Sequence, residues 1–192
     1  MNEFEFYSDL YHKENDRRTA LDGMMNIPIA ILTALFSLLL YVGSTYDYSA
    51  TINMNCFFIL DLSMTFVLCI ICFTFLSFAF VGRNRLYSGI SYTQDLHNWK
   101  KSLIEHYQQH GTGSAIQNQE LADQEFENHL LDSFVRHVDA NMYVNDYKSR
   151  NIFLGKRFVV FALVSSLVLI IPYSINYFYK SKEVHYVKIV KK

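Results

Sequence analysis

Apolar and polar positions along the chain fall into blocks. Three long stretches carry almost no charge, and the segments before and between them are strongly polar. A helix needs ~20 residues to cross ~30 Å of hydrocarbon. The first stretch, 24–42, is slightly short by that measure and predicts an upright span, with Pro28 in its first turn, where a missing N–H costs least. The second, 56–81, is longer and has room to tilt. The third, 158–179, contains Pro172, which predicts a kink. Tyrosines gather at the span ends, Tyr41, Tyr46 and Tyr48 after the first and Tyr173, Tyr177 and Tyr179 in the third, as interfacial aromatics do.

The polar blocks read as helices too. In 1–23, Phe4, Tyr7, Leu10 and Tyr11 fall at helical spacing, which fits a solvated helix packing on a neighbour or an interfacial helix lying on a bilayer. Residues 43–55 form a short external loop without Lys or Arg. Block 82–157 reads as a helical hairpin. Its first helix runs from Arg83 to His110 and buries Leu86, Ile90, Leu96, Trp99 and Leu103. Gly111 to Ser114 make the turn. The second helix starts near Gln119, with Leu121, Leu130, Leu131, Phe134 and Val138 as its apolar stripe. Only Gly155 interrupts it before Phe158, so it is expected to run straight into the third span. A lysine-rich tail, 180–192, follows. The expected fold is all-α: an integral membrane protein with three transmembrane helices and a cytoplasmic helical hairpin between spans two and three.

Charge refines this picture. The net charge of -1 over 192 residues gives no basic field, so no direct nucleic-acid binding is expected. The N-terminus is acidic and lacks the basic start of a signal peptide, so the first span is expected to direct insertion. Lys13, Arg17 and Arg18 precede span one, Arg83 and Arg85 follow span two, and Lys148, Arg150, Lys156 and Arg157 precede span three. The positive-inside rule then puts the N-terminus and 82–157 in the cytoplasm. The C-terminus falls outside, against the pull of Lys180, Lys182, Lys188, Lys191 and Lys192. Those lysines either meet anionic head groups on the far side or mark a span that does not cross fully.

Candidate chemistry is sparse. Span two carries a stripe of Asp61, Thr65, Cys69, Cys72, Leu76 and Ala79 at helical spacing, with Phe66, Phe73, Phe75, Phe78 and Phe80 on its other faces. Small and polar residues gather where helices pack in lipid. Asp61 stands out because an intramembrane carboxyl is costly unless paired or wet. It fits an aqueous path or an oligomer lock, or a position close enough to the outer interface to hydrate. Cys69 and Cys72 have CxxC spacing without further ligands nearby, which favours packing over metal. His106 and His110 lie four apart without the Glu and third ligand of a zinc protease, and read as solvated. No nucleophile–base pair or phosphate loop stands out, so neither enzyme activity nor a cofactor is expected. At the membrane-proximal face, Lys13, Arg17 and Arg18 are placed to meet Asn141, Asn145 and Lys148, which fall on neighbouring helical positions.

Tyr11 to Arg18 (YHKENDRR), Asn26 to Thr33 (NIPIAILT) and Asn141 to Ser149 (N-x-x-x-N-D-x-K-S) carry a resemblance. Together they resemble small bacterial inner-membrane proteins encoded beside anti-phage machinery, namely retron-associated transmembrane effectors and two-span effectors of nucleotide-signalling systems. The likeness covers about half the chain, and the third apolar stretch departs from the two-span pattern. It implies a homo-oligomer in the bacterial inner membrane that compromises membrane integrity when a cytoplasmic sensor triggers it. That sensor would be a retron reverse transcriptase with its DNA, or a nucleotide-signalling component. The alternative is a non-toxic membrane anchor or scaffold whose hairpin recruits a partner protein.

Overall fold

A computed structural model describes residues 2–49, 52–81, 87–91 and 93–190, with side chains up to Phe178 apart from that of Ile52. The described residues form five helices and no strand: α1 (Glu3–Gly23), α2 (Asn26–Thr45), α3 (Ile52–Val81), α4 (Thr93–His110) and α5 (Ala115–Val190). Three helical stretches are long and apolar enough to cross a membrane, within Glu3–Thr45, Asn53–Val81 and Ala115–Phe178. The hairpin's second helix and the third apolar stretch are one helix, α5, which continues through Pro172. It also continues to Val190, so the main chain of the tail is helical up to that point.

Several boundaries differ from the sequence expectation. The second long helix starts by Ile52, so Asn53 to Asn55 join it and the loop is shorter. The hairpin's first helix starts at Thr93, not Arg83, because 87–91 has no regular structure. Leu86 lies outside the described residues. α5 starts at Ala115, four residues before Gln119. Ser114 explains this: Gln117 Oε1 accepts from the Ser114 N–H at 3.0 Å, and Ser114 Oγ accepts from the Gln117 N–H at 3.4 Å. That reciprocal pair is a capping box. Phe134 and Val138 are buried as expected, but Leu121 is 48% exposed and its neighbour Ala122 takes the buried place.

The chain divides into two compact units. Unit one comprises 1–20 and 84–147. In it α1 lays its aromatic stripe on α5, with the Phe4 and Tyr11 rings edge-on to Phe134 at 5.4 and 5.7 Å. α4 packs on α5 through Trp99, whose ring lies 5.5 Å from Phe126 and 4.4 Å from His129. Outside those rings, Lys100 pairs with Asp123 at 2.8 Å and Tyr107 donates to Glu125 at 2.6 Å.

Unit two comprises 21–83 and 148–192. Leu32, Leu35, Leu39 and Val42 of α2 pack with Phe58, Cys69, Cys72 and Leu76 of α3 and Val159, Ala162 and Leu169 of α5. Phe58 is fully buried, stacked on Tyr46 with ring centroids 3.6 Å apart. Gly155 does not break α5. It lets α3 approach, since a Cβ there would lie 2.9 Å from Leu76 Cδ2. The outer faces stay apolar and uncovered: only 28%, 28% and 33% of the three apolar windows are buried inside the protein.

Candidate functional site

The helical period of α3 brings Asp61, Thr65, Cys69 and Cys72 onto one line, and all are buried. Phe66, Phe73, Phe78 and Phe80 point outward, while Phe75 turns partly inward and stacks on Phe158 of α5 at 5.6 Å. The polar head of this stripe meets a polar residue of α5. Ser165 Oγ lies 3.0 Å from Asp61 Oδ1 and 2.7 Å from Thr65 Oγ1, and the Thr65 hydroxyl donates to the Asp61 carbonyl at 2.9 Å. Asp61 is 7% exposed, and its second carboxyl oxygen, Oδ2, is buried without a hydrogen-bond partner. Asp61 therefore faces α5, a neighbouring helix of its own chain.

Cys69 and Cys72 are free thiols among apolar neighbours. Nearby, a groove of about 580 Å³ between α2 and α3 is lined by residues such as Phe36, Leu39, Gly43, Leu62 and Phe66, none of them titratable. Among the described residues no three His, Cys, Asp or Glu side chains converge as a metal set would. His106 and His110 stack on each other at 4.9 Å along the exposed side of α4.

The residues expected at the membrane-proximal face are distributed over distinct contacts. In unit one, Arg17 reaches Asp146 at 2.5 Å and Glu14 at 3.5 Å. Asn145 is fully buried: its Nδ2 donates to the Glu14 carbonyl at 2.9 Å and the Glu14 carboxylate at 2.8 Å, and its Oδ1 accepts from the Tyr87 hydroxyl at 2.9 Å. Arg18 lies over the Tyr87 ring at 3.9 Å. Asn141 binds the main chain of Ser88, whose hydroxyl contacts His137 Nδ1. Lys13 takes no part; it pairs with Asp9 on the exposed side of its own helix at 2.7 Å. Lys148 belongs to unit two, where it is 4% exposed and pairs with Asp22.

Sequence reasoning passed over Asp22, Tyr87, Ser88, Ser165 and Asn176, and took Glu14 and Asp146 only as members of the two polar segments expected to meet. Ser165 and Asn176 had a readable signal. With Ser166, Leu169 and Pro172 they form the buried line of the third apolar stretch, at the same spacing that marked Asp61 and Thr65. No protein-family model, no curated protein and no solved structure matches the chain.

Proposed function

We propose that this chain is an integral membrane protein with three spans, with its N-terminus and residues 82–157 in the cytoplasm, and that it acts as the membrane effector of a bacterial anti-phage system. The membrane reading rests on uncovered apolar surface. Ile27 is 71% exposed, Leu40 72%, Leu60 67% and Leu167 64%, an area far beyond the isolated patches of a water-soluble monomer. Lipid tails cover such faces, and the Lys and Arg distribution gives the orientation. Carbonate-resistant pelleting with membranes, and cleavage of the two termini from opposite sides of sealed vesicles, test this part; release into the supernatant removes it.

The effector reading comes from the resemblance. In it the packed bundle is the silent state. The stripe at Asp61 and Thr65 is turned onto Ser165 of the same chain, so pore formation requires α3 to exchange Ser165 for water or for a second copy. The hairpin receives the sensor complex. Inducible expression with a membrane-potential dye is the test: depolarisation on triggering supports the reading, and sustained polarisation at high expression, with and without phage, removes it.

One observation favours the scaffold alternative. Thr65, Ser165 and one carboxyl oxygen of Asp61 are partnered within a single chain, so those groups find partners without a second copy. A scaffold predicts unchanged growth for Asp61→Asn and Thr65→Val, and loss of partner capture when 84–140 is deleted.

A further inference from the structure

We propose that the outer face of α5 in unit two seats one anionic phospholipid, with Arg150 and Arg157 on its phosphate. This rests on the membrane reading and goes beyond it by naming a site and a headgroup class. Arg150, Phe153 and Arg157 are exposed and fall at i, i+3 and i+7 on α5, which puts them on one face. Val160, Val164, Leu167 and Ile171 continue that face, and all four are exposed. Along the helix the face is therefore first cationic and then apolar, the order of a lipid from phosphate to tail. From Val160 to Ile171 the helix rises ~16 Å, about one leaflet of a ~30 Å hydrocarbon core.

The cationic end is ordered and unpaired. The Arg157 guanidinium lies 5.6 Å from the centre of the Phe153 ring, over its face. The ring covers one side of the guanidinium plane and leaves the N–H edge for an acceptor. Lys156 flanks the pair, and none of the three cations makes an ion pair with a described residue. Their neighbours differ: Lys148 is taken up by Asp22, and Asp146 by Arg17. After Asp146 no acid follows in the chain until Glu183.

Charge decides the headgroup. A zwitterionic lipid carries its own ammonium beside the phosphate, which two arginines and a lysine repel. An anionic lipid carries the phosphate without that ammonium. The arginine fork grips two phosphate oxygens at once, which lysine does not. α2 and α3 contain no Lys or Arg, so their exposed apolar faces end without a cation of their own.

The test uses the full chain, purified in a neutral detergent after carbonate extraction has established that it is embedded. Native mass spectrometry reads its adducts with an equimolar mixture of phosphatidylglycerol and phosphatidylcholine of matched chains. The expected result is a preference for phosphatidylglycerol that falls about five-fold for each of Arg150→Gln and Arg157→Gln. Arg157→Lys keeps the charge and loses the fork, and is expected to fall between wild type and Arg157→Gln. Both arginines are exposed, so thermal melts without lipid are expected to be unchanged in these variants. Equal adducts of the two lipids on the wild type overturn the proposal, as does a preference that survives the double Gln variant. Inorganic phosphate is the third arm: displacement of the adduct by phosphate at the same concentration also overturns it, since the ligand would then be the free anion. Release of the chain by carbonate removes the membrane reading and this one together; firm extraction with equal adducts removes this one alone.

Discussion

Asn141 holds both backbone polar groups of Ser88: its Oδ1 accepts from the Ser88 N–H at 3.0 Å, and its Nδ2 donates to the Ser88 carbonyl at 3.1 Å. A side-chain amide carries the same donor and acceptor as a peptide, so it serves non-helical chain as a neighbouring strand would. Asn176 repeats the device in unit two, accepting from the Asp47 N–H at 3.2 Å and donating to the Asp47 carbonyl at 2.8 Å. Asn141→Leu orphans two backbone groups, at about 1–3 kcal/mol for each that stays buried. Amide hydrogen exchange at Ser88 is expected to speed up strongly in Asn141→Leu and far less in Asn141→Asp, which keeps the acceptor. Equal exchange in all three proteins would refute the clamp.

The ion pair between Lys148 and Asp22 is lopsided. The lysine side chain is 4% exposed and the aspartate 47%. Removing the aspartate leaves a buried ammonium without its counter-charge, a loss of up to about 3–5 kcal/mol. Removing the lysine leaves a carboxylate that water reaches. Asp22→Asn is therefore expected to lower the thermal unfolding midpoint in detergent more than Lys148→Met does, and the reverse order would contradict the pairing.

His137 is held below its ordinary value, chiefly by burial and secondly by Arg136. The unfolded chain then binds this proton more readily than the folded one. The associated stability is complete above about pH 6.5 and is lost as pH falls through that value toward the lower folded one. Unit one is expected to loosen below about pH 6.5, with a shallower dependence in His137→Gln. Thermal melts across that range check the sign; a steeper dependence in the variant would exclude His137 as its source.

Gly155 and Leu76 share one space. A Cβ on residue 155 would lie 2.9 and 3.1 Å from Leu76 Cδ2 and Cγ. Gly155→Val is expected to cost about 1–3 kcal/mol through overpacking, and Leu76→Ala about 2–5 kcal/mol through a cavity. Combined, the valine fills part of the cavity, so the double variant is expected to lose less than the two single losses together. Simple additivity in detergent melts would place the two residues apart.

Local pattern carried the parts of this fold that depend on helical period. The buried line of Asp61, Thr65, Cys69, Cys72, Leu76 and Ala79 was legible because Asp61 is the one charged residue of an otherwise apolar helix, which offers few competing signals. The Ser114–Gln117 capping box was equally local and went unread, which displaced the start of α5. The register of the hairpin was harder: Leu121 sits one position off a stripe that Asn118 and Ala122 actually occupy. The late start of α4 was not legible at all. Nothing in 87–91 forbids a helix except Gly89; what holds the segment open is Asn141, more than fifty residues away. The polar residues of α1 fell on the expected neighbours only in part, since charge alone does not say that Lys13 faces outward while Glu14 is buried.

Pro172 lies on α5 between Ser165, bound to α3, and Asn176, bound to the chain after α2. Its ring has no N–H for the Val168 carbonyl, so the weakest backbone link in this stretch sits between two tethers. A rod without that link would have to shed one tether to move. This one can flex like a knee with both ends held.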